Sequence, residues 1–268
     1  MRSEMAQPNR ITSRQNPLLV RLRKLASDPL AYRKQGQLWL EGEHLCEAYA
    51  GRGAGVAQAV ITEAAWEQQA MRELASRADA VCIVSPELMA SLSTMDSCPP
   101  LAFAVPWSGQ GVAAARWPSI VLDRVLDAGN VGSMLRSAAA FGFRQVLALK
   151  GTAGLWTPKV LRAAMGAHFG LRLVEAMEPA ALAGLQLPLL AASSHAALAI
   201  DQASLPWPCA WVFGHEGQGV APALMAQCAQ TLRIPQPGGE ESLNVGAAAA
   251  VCLYESMRQR AAQAAAPT

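Results

Sequence analysis

The sequence predicts two α/β domains, the second built on a parallel sheet, and three observations lead there. The chain has 268 residues, a length that suits about two domains of ordinary size. Short apolar runs alternate with helical stretches along it, the pattern of helices packed on sheets. A glycine-bearing, apolar-poor stretch between Pro106 and Pro118, SGQGVAAARW, separates two such series and marks a linker over 106–117.

Residues 1–12 are expected to be a flexible basic arm, followed by a first domain over 13–105. From about Ser13 to Leu25, Leu18, Leu22 and Leu25 recur at helical spacing with arginines between them, which predicts an amphipathic helix. Asp28-Pro29 restarts the chain into a second, short helix. LWLEG reads as a strand entering a helix that carries Glu47, and AVIT from Ala59 to Thr62 as another strand. A polar-faced helix over Ala64 to Arg77, the strand VCIV, a helix from Pro86 and the strand LAFAV complete the domain. The second domain spans 118–262. Its strands are SIVLD, QVLALK, LRLVE, LPLLAAS, CAWVFG and TLRIP, near-continuous apolar runs of the kind a parallel sheet buries on both faces. The end of the chain, 263–268, is expected to fray.

Composition narrows the function classes. Hydrophobic residues make up 52% of the chain and charged ones 16%, so core material is plentiful. No apolar run approaches the roughly 20 residues that span a bilayer, and the polar start MRSEMAQPNR lacks the apolar core of a signal peptide. The expectation is a cytoplasmic protein with no membrane partner. The six cysteines are scattered, with no C-x-x-C pair and no histidine nearby at zinc-ligand spacing. They are expected to be buried free thiols, with no metal. A formal net charge of +2 names no partner, but its distribution is uneven. Arg14, Arg21, Arg23, Lys24, Arg33 and Lys34, with Arg2 and Arg10, crowd the start of the chain against Glu4 and Asp28. This is a local basic face, open to two readings: a phosphate-binding surface or a solvated helix side.

Three stretches of the second domain carry polar side chains and glycines at strand ends. In LDRVLDAGNVGSMLRSAAAFGF, a strand ends at Asp123, a turn holds Asn130 and Gly132, and a helix carries Arg136. Asn130, Ser133 and Arg136 near a helix start could meet a polar ligand, or Arg136 could simply pair with Asp123 or Asp127. In WVFGHEGQGV, a strand stops at Gly214 and glycines surround Glu216, where open α/β sheets put ligands. His215 there reads as a strand neighbour rather than a base. In IPQPGGEESLNVGAAAAVCLYE, Pro235, Pro237, Gly238 and Gly239 forbid a helix until Ser242, a natural N-cap, and Glu241, Ser242 and Asn244 are displayed beside the glycines. Taken alone, this last stretch is equally an ordinary capped loop.

In order and spacing, Asn130-x-Gly132-x-x-x-Arg136, Gly214-x-Glu216-x-x-Gly219 and Ile234-Pro235 followed by Ser242-Leu243-Asn244-Val245 resemble the three motifs of the SpoU (TrmH-type) RNA 2′-O-ribose methyltransferases of the SPOUT superfamily. The resemblance implies a deep C-terminal trefoil knot, a homodimer and S-adenosyl-L-methionine bent within the knot loops. It places Gly214, Gly219, Ile234, Pro235 and Leu243 at the cofactor, and Arg136, Asn130, Glu216, Ser242 and Asn244 in catalysis. The first domain is similar to the ribosomal-protein-L30e-like substrate-binding domain, on Arg14, Asn16, Pro17, Lys24 and Leu25 and on LWLEGEHL. Structured RNA is then the partner, ribosomal RNA first and transfer RNA second, with a non-catalytic RNA-binding protein as the contrasting class. Ala128, Gln236 and Gly246 depart from the residues common in the family, which are proline, methionine and serine.

Overall fold

The structure, a computed structural model, describes residues 8–95, 97–109, 111–238 and 242–265. The chain divides into two compact units. One comprises Met1–Gly109 together with Trp156–Phe169, the other Gln110–Leu155 together with Gly170–Thr268.

The first unit runs β1 (Asn9–Ile11), α1 (Pro17–Ser27), α2 (Ala31–Gln35), β2 (Gln37–Glu41), α3 (Glu43–Ala50), β3 (Gln58–Thr62), α4 (Glu63–Trp66), α5 (Gln69–Ala75), β4 (Val81–Val84), α6 (Pro86–Ala90) and β5 (Leu101–Pro106). Its sheet has the order β1-β4-β3-β5-β2, with β4 parallel to β1 and β3, and β5 antiparallel to β2 and β3. Local chemistry sets the helix starts. Pro17 opens α1, and the Asn16 side chain caps it by accepting from the Leu18 N–H at 2.9 Å. The helix therefore begins after Ser13, and buries Leu19, Leu22, Leu25 and Ala26. The single helix expected over 64–77 is two, since Thr62 caps α4 and the chain restarts at Gln69. Within the arm expected over 1–12, Asn9–Ile11 form an edge strand in register with Cys82–Val84. Three residues are too few to show a period in the sequence.

The second series runs β6 (Ser119–Asp123), α7 (Ala128–Ala140), β7 (Gln145–Leu149), α8 (Pro158–Ala164), β8 (Arg172–Met177), β9 (Leu189–Ala192), β10 (Leu198–Ala199), β11 (Ala210–Gly214), α9 (Pro222–Met225), β12 (Gln230–Arg233) and α10 (Val245–Ala265). Seven strands in the order β10-β12-β9-β11-β6-β7-β8 pair in parallel throughout. The six expected strands are present, and two-residue β10 adds an edge. From β6 the chain winds outward to β8, then continues with β9 on the other side of β6. That reversal makes a crevice at the carboxyl ends of the central strands. Gly214 pairs with Asp123, so the loops after β11 and β6 leave the sheet side by side.

Two boundaries differ from expectation. The helix α8 belongs to the first unit: Leu161 is buried in that unit's core, Trp156 and Phe169 pack against it, and Arg162 pairs with the buried Glu41 at 3.3 Å. The second half of the sequence thus supplies a piece of the first unit. Part of the expected linker is also fixed, because the buried Gln145 side chain grips both the N–H and the carbonyl of Ala114, at 2.9 and 2.8 Å. The terminal helix remains helical through Ala265, beyond the expected start of fraying at 263. Among the described residues no helix is long and apolar enough to cross a membrane. Cys46, Cys82, Cys209 and Cys252 are buried free thiols, and Cys98 and Cys228 half-buried ones. Burial pushes Cys209 up to about 12 and Cys228 up to about 11, so these are packing residues rather than nucleophiles.

Candidate active site

Three strand ends and the start of α10 wall a cavity of about 830 Å³, within the range of about 300–1,000 Å³ typical of small-molecule sites. Ser193, Ser194 and His195 follow β9, and Gly214 through Val220 follow β11. Ile234 and Gln236 follow β12, and Ser242, Leu243 and Val245 precede or open α10.

Gly214 shows why this wall needs glycine. The loop after β11 turns straight back, with His215 and Gly219 exchanging backbone hydrogen bonds at 3.1 and 2.8 Å. A Cβ on Gly214 would lie 2.1 Å from the Gly219 carbonyl carbon and from the Val220 nitrogen, where no carbon fits. Gly219 makes the reversal at φ +67°, a left-handed conformation that glycine adopts freely. His215 serves the turn, its Nδ1 accepting from the N–H groups of Gly217 and Gln218 at 3.0 and 3.2 Å.

The polar residues of the three stretches meet in one network. The Asn130 Nδ2 donates to Glu216 Oε1 at 3.1 Å, and the Asn244 Nδ2 donates to Asn130 Oδ1 at 2.9 Å. Glu216 also receives the backbone N–H groups of Asp127 at 3.1 Å and Leu126 at 3.3 Å. Burial pushes the Glu216 carboxyl up. Its own backbone N–H, the Asn130 amide and the Asp127 and Leu126 N–H groups together outweigh this and hold it below the ordinary carboxylate range. Asn244 Oδ1 accepts from the Gly246 and Ala247 N–H groups at 2.9 and 3.2 Å. Asn244, not Ser242, is therefore the cap of α10: the helix begins two residues later than expected, and Ser242 is left exposed on the cavity wall.

Of the ten site residues expected from the sequence, Gly214, Glu216, Gly219, Ile234, Ser242 and Leu243 line the cavity, and Asn130 and Asn244 join it through Glu216. Pro235 is exposed and not on its wall. Arg136 is exposed on α7, and no hydrogen bond or ion pair among the described residues joins it to the network or to Asp123 or Asp127. Asp123 pairs instead with Arg124, and Asp127 caps α7 by accepting from the Asn130 N–H at 2.8 Å. Glu241 and Gly239 lie outside the described residues. Sequence reading missed Ser193, Ser194 and His195. Their signal was present, a polar SSH run directly after the apolar strand LPLLAA, but it contains no glycine to draw attention. It missed Arg124 as well.

The profile of the SpoU rRNA Methylase family matches residues 118–254, the span holding the sheet, the cavity and the network. The chain belongs to the SpoU rRNA methylase family. A protein of Synechocystis sp. named as an uncharacterized tRNA/rRNA methyltransferase is 33% identical over 274 residues, covering 93% of this chain and 94% of that one. The 23S rRNA (guanosine-2′-O-)-methyltransferase RlmB of Bordetella pertussis is 37% identical over 145 residues, covering 53% of this chain and 59% of that enzyme. A solved RNA 2′-O ribose methyltransferase superposes with a TM-score of 0.80 at 29% identity, covering 94% of this chain and 99% of the other. The Synechocystis protein and the solved structure match more than nine-tenths of the chain, so their likeness extends beyond the family span.

Proposed function

We propose that the chain transfers a methyl group from S-adenosylmethionine to a ribose 2′-hydroxyl of RNA, ribosomal RNA first. The observation that carries this is the hydrogen-bonded joining of Glu216, Asn130 and Asn244, one from each motif, beside a glycine-walled cavity in a SpoU family member. The cavity suits the cofactor chemically. Gly214, Gly217 and Gly219 let main chain approach a ligand, and Ile234, Leu243 and Val220 offer apolar surface to a planar base. When bound, the cofactor supplies an electrophilic methyl on a sulfonium.

The chain's own residues then have to place a poor nucleophile. Glu216 is ionised at neutral pH, but its oxygens already receive Asp127, Leu126 and Asn130, so it works as an anchor for the loops rather than as a base. Arg136 cannot take a proton, because a guanidinium in a protein stays protonated. Its exposed position on α7 leaves it free to grip a phosphate beside the target ribose and stabilise the developing alkoxide, whose proton passes to solvent water as S-adenosylhomocysteine is left behind. Ser242 and Asn244 orient the ribose and the loop. Replacing Arg136 with alanine is expected to abolish methyl transfer to RNA while S-adenosylhomocysteine still binds in calorimetry. Retained turnover would remove Arg136 from the chemistry.

A trefoil knot, a homodimer, a cytoplasmic setting and an RNA-binding first unit belong to the same reading. The return of α10 to pack on α7 and β11 after β12 supports a knotted path. Val251 and Tyr254, 40% and 48% exposed on α10, support a second copy of the chain as their cover. In the first unit Arg14, Arg21, Lys24 and Lys34 are exposed, as phosphate binding needs. Arg23 does not fit that role, because its guanidinium is committed to Ser91 and to the Arg14 carbonyl. Arg33 is exposed but donates to the Tyr32 hydroxyl.

A further inference from the structure

Arg124 follows the last residue of β6 and stands at φ +59°, a left-handed conformation uncommon for any residue but glycine. Its backbone is held there by an N–H bond to Thr152 Oγ1 at 3.0 Å, and Thr152 in turn donates to the Leu122 carbonyl. That turn aims the guanidinium across to the loop after β11. Nε and Nη2 grip both oxygens of Asp123 at 3.0 Å. Nη1 reaches Gln218 Oε1 at 3.0 Å, and Nη2 the Gly219 carbonyl at 3.3 Å. The same Asp123 carboxylate accepts from the Ala221 N–H at 2.7 Å. The far limb of the loop that walls the cavity is thus tied to the end of β6 at three points, Gln218, Gly219 and Ala221, and two of the three ties run through Arg124.

We propose that Arg124 is a positioning residue for cofactor binding, holding the Gln218–Gly219 limb in the shape that the cavity requires. The proposal rests on the reading of this cavity as the S-adenosylmethionine site. A simpler role has to be separated from it. Asp123 is buried, and a buried carboxylate needs a counter-charge whether or not any loop is to be held. The two roles make different demands on the side chain. Neutralising Asp123 takes one cation at that point, whereas reaching Asp123, Gln218 and Gly219 together takes the planar, multi-donor fork of arginine.

Calorimetric titration with S-adenosylhomocysteine, alongside thermal unfolding, tests this on the full-length chain. Arg124→Lys keeps the charge and loses the fork; Gln218→Ala keeps the Arg124–Asp123 pair and loses one loop contact. The expected result is a melting temperature close to wild type for both. Affinity is expected to fall by about tenfold for Arg124→Lys and less for Gln218→Ala, the range set by lost hydrogen bonds to a charged group. Wild-type affinity in both variants would overturn the proposal while leaving the cofactor site intact. A fall in affinity only in step with a fall in melting temperature would reduce Arg124 to counter-charge and overturn it too. Absence of binding by the wild-type chain would overturn the reading of the cavity itself, and the proposal with it.

Discussion

At the scale of single residues, the site depends on two kinds of constraint, absence of atoms at Gly214 and saturation of acceptors at Glu216. Gly214→Ala puts a carbon 2.1 Å from fixed backbone, so the loop must move. The expected outcome is a loss of about 3 kcal/mol in stability, measured by denaturant unfolding, together with loss of S-adenosylhomocysteine binding. Glu216 adds a pH signature. Its folded value lies below the ordinary 4.5, so its contribution is complete at neutral pH and is lost as pH falls through that folded value. The stability gap between wild type and Glu216→Gln is expected to be full at pH 7 and to narrow as the pH falls through the folded value, below 4.5. A gap with no pH dependence anywhere in the acid range would show that carboxylate ionisation does not hold the loops. Both residues were legible in the sequence, because a glycine cluster at the end of an apolar strand has few other uses. Arg124 was not. Nothing in its neighbours reveals a left-handed φ, and its partners Gln218 and Gly219 lie 94 and 95 positions away.

At the scale of elements, α10 is where the sequence misled most usefully. Serine is a good N-cap, and Ser242 stands before an alanine-rich run, so local propensity put the start there. Tertiary bonding decided otherwise. Asn244 caps the helix with its oxygen while its amide nitrogen donates to Asn130, a double role that serine cannot fill with one hydroxyl. The two halves of that side chain can be separated. Asn244→Asp keeps an acceptor for the Gly246 and Ala247 N–H groups, in a position where a negative charge suits the helix dipole, but removes the donor to Asn130. It is expected to melt near wild type and to lose most methyl transfer. Asn244→Ala is expected to lose both, with about 1 kcal/mol of stability gone. Strand positions in the same unit were far easier to read, since buried parallel strands are apolar on both faces and stand out from their surroundings.

At the scale of the whole molecule, the sequence gives two series of elements and a boundary near 106–117, while the contacts give two units that do not divide at a single point. The reason is the excursion Trp156–Phe169. Nothing in the composition of PKVLRAA distinguishes a helix packed on its own sheet from one packed on another unit. A fragment of residues 118–268 would leave Leu161, Trp156 and Phe169 without the core they cover. It is expected to unfold at lower temperature than the second unit does in the full chain and to aggregate on heating. Replacing 156–169 in that fragment by a short glycine-serine turn should restore solubility and a cooperative transition. If the unmodified fragment behaves as well as the shortened one, the excursion is not part of the first unit's core.

That excursion also has a bearing on time. Bacterial and eukaryotic chains emerge at about 5–20 residues per second and fold domain by domain from the N-terminus. Here the first unit cannot close its core when Gly109 emerges, because Leu161 and the Arg162 partner of buried Glu41 follow roughly 50 residues later, a delay of about 3–10 s at those rates. By then β6, α7 and β7 have been made. Glu41 meanwhile lacks its cation, and the carboxylate that burial would make costly has reason to stay in water. The emerging first unit is thus expected to remain an open, hydrated intermediate until the ribosome has released α8, and the two units to mature together rather than in sequence.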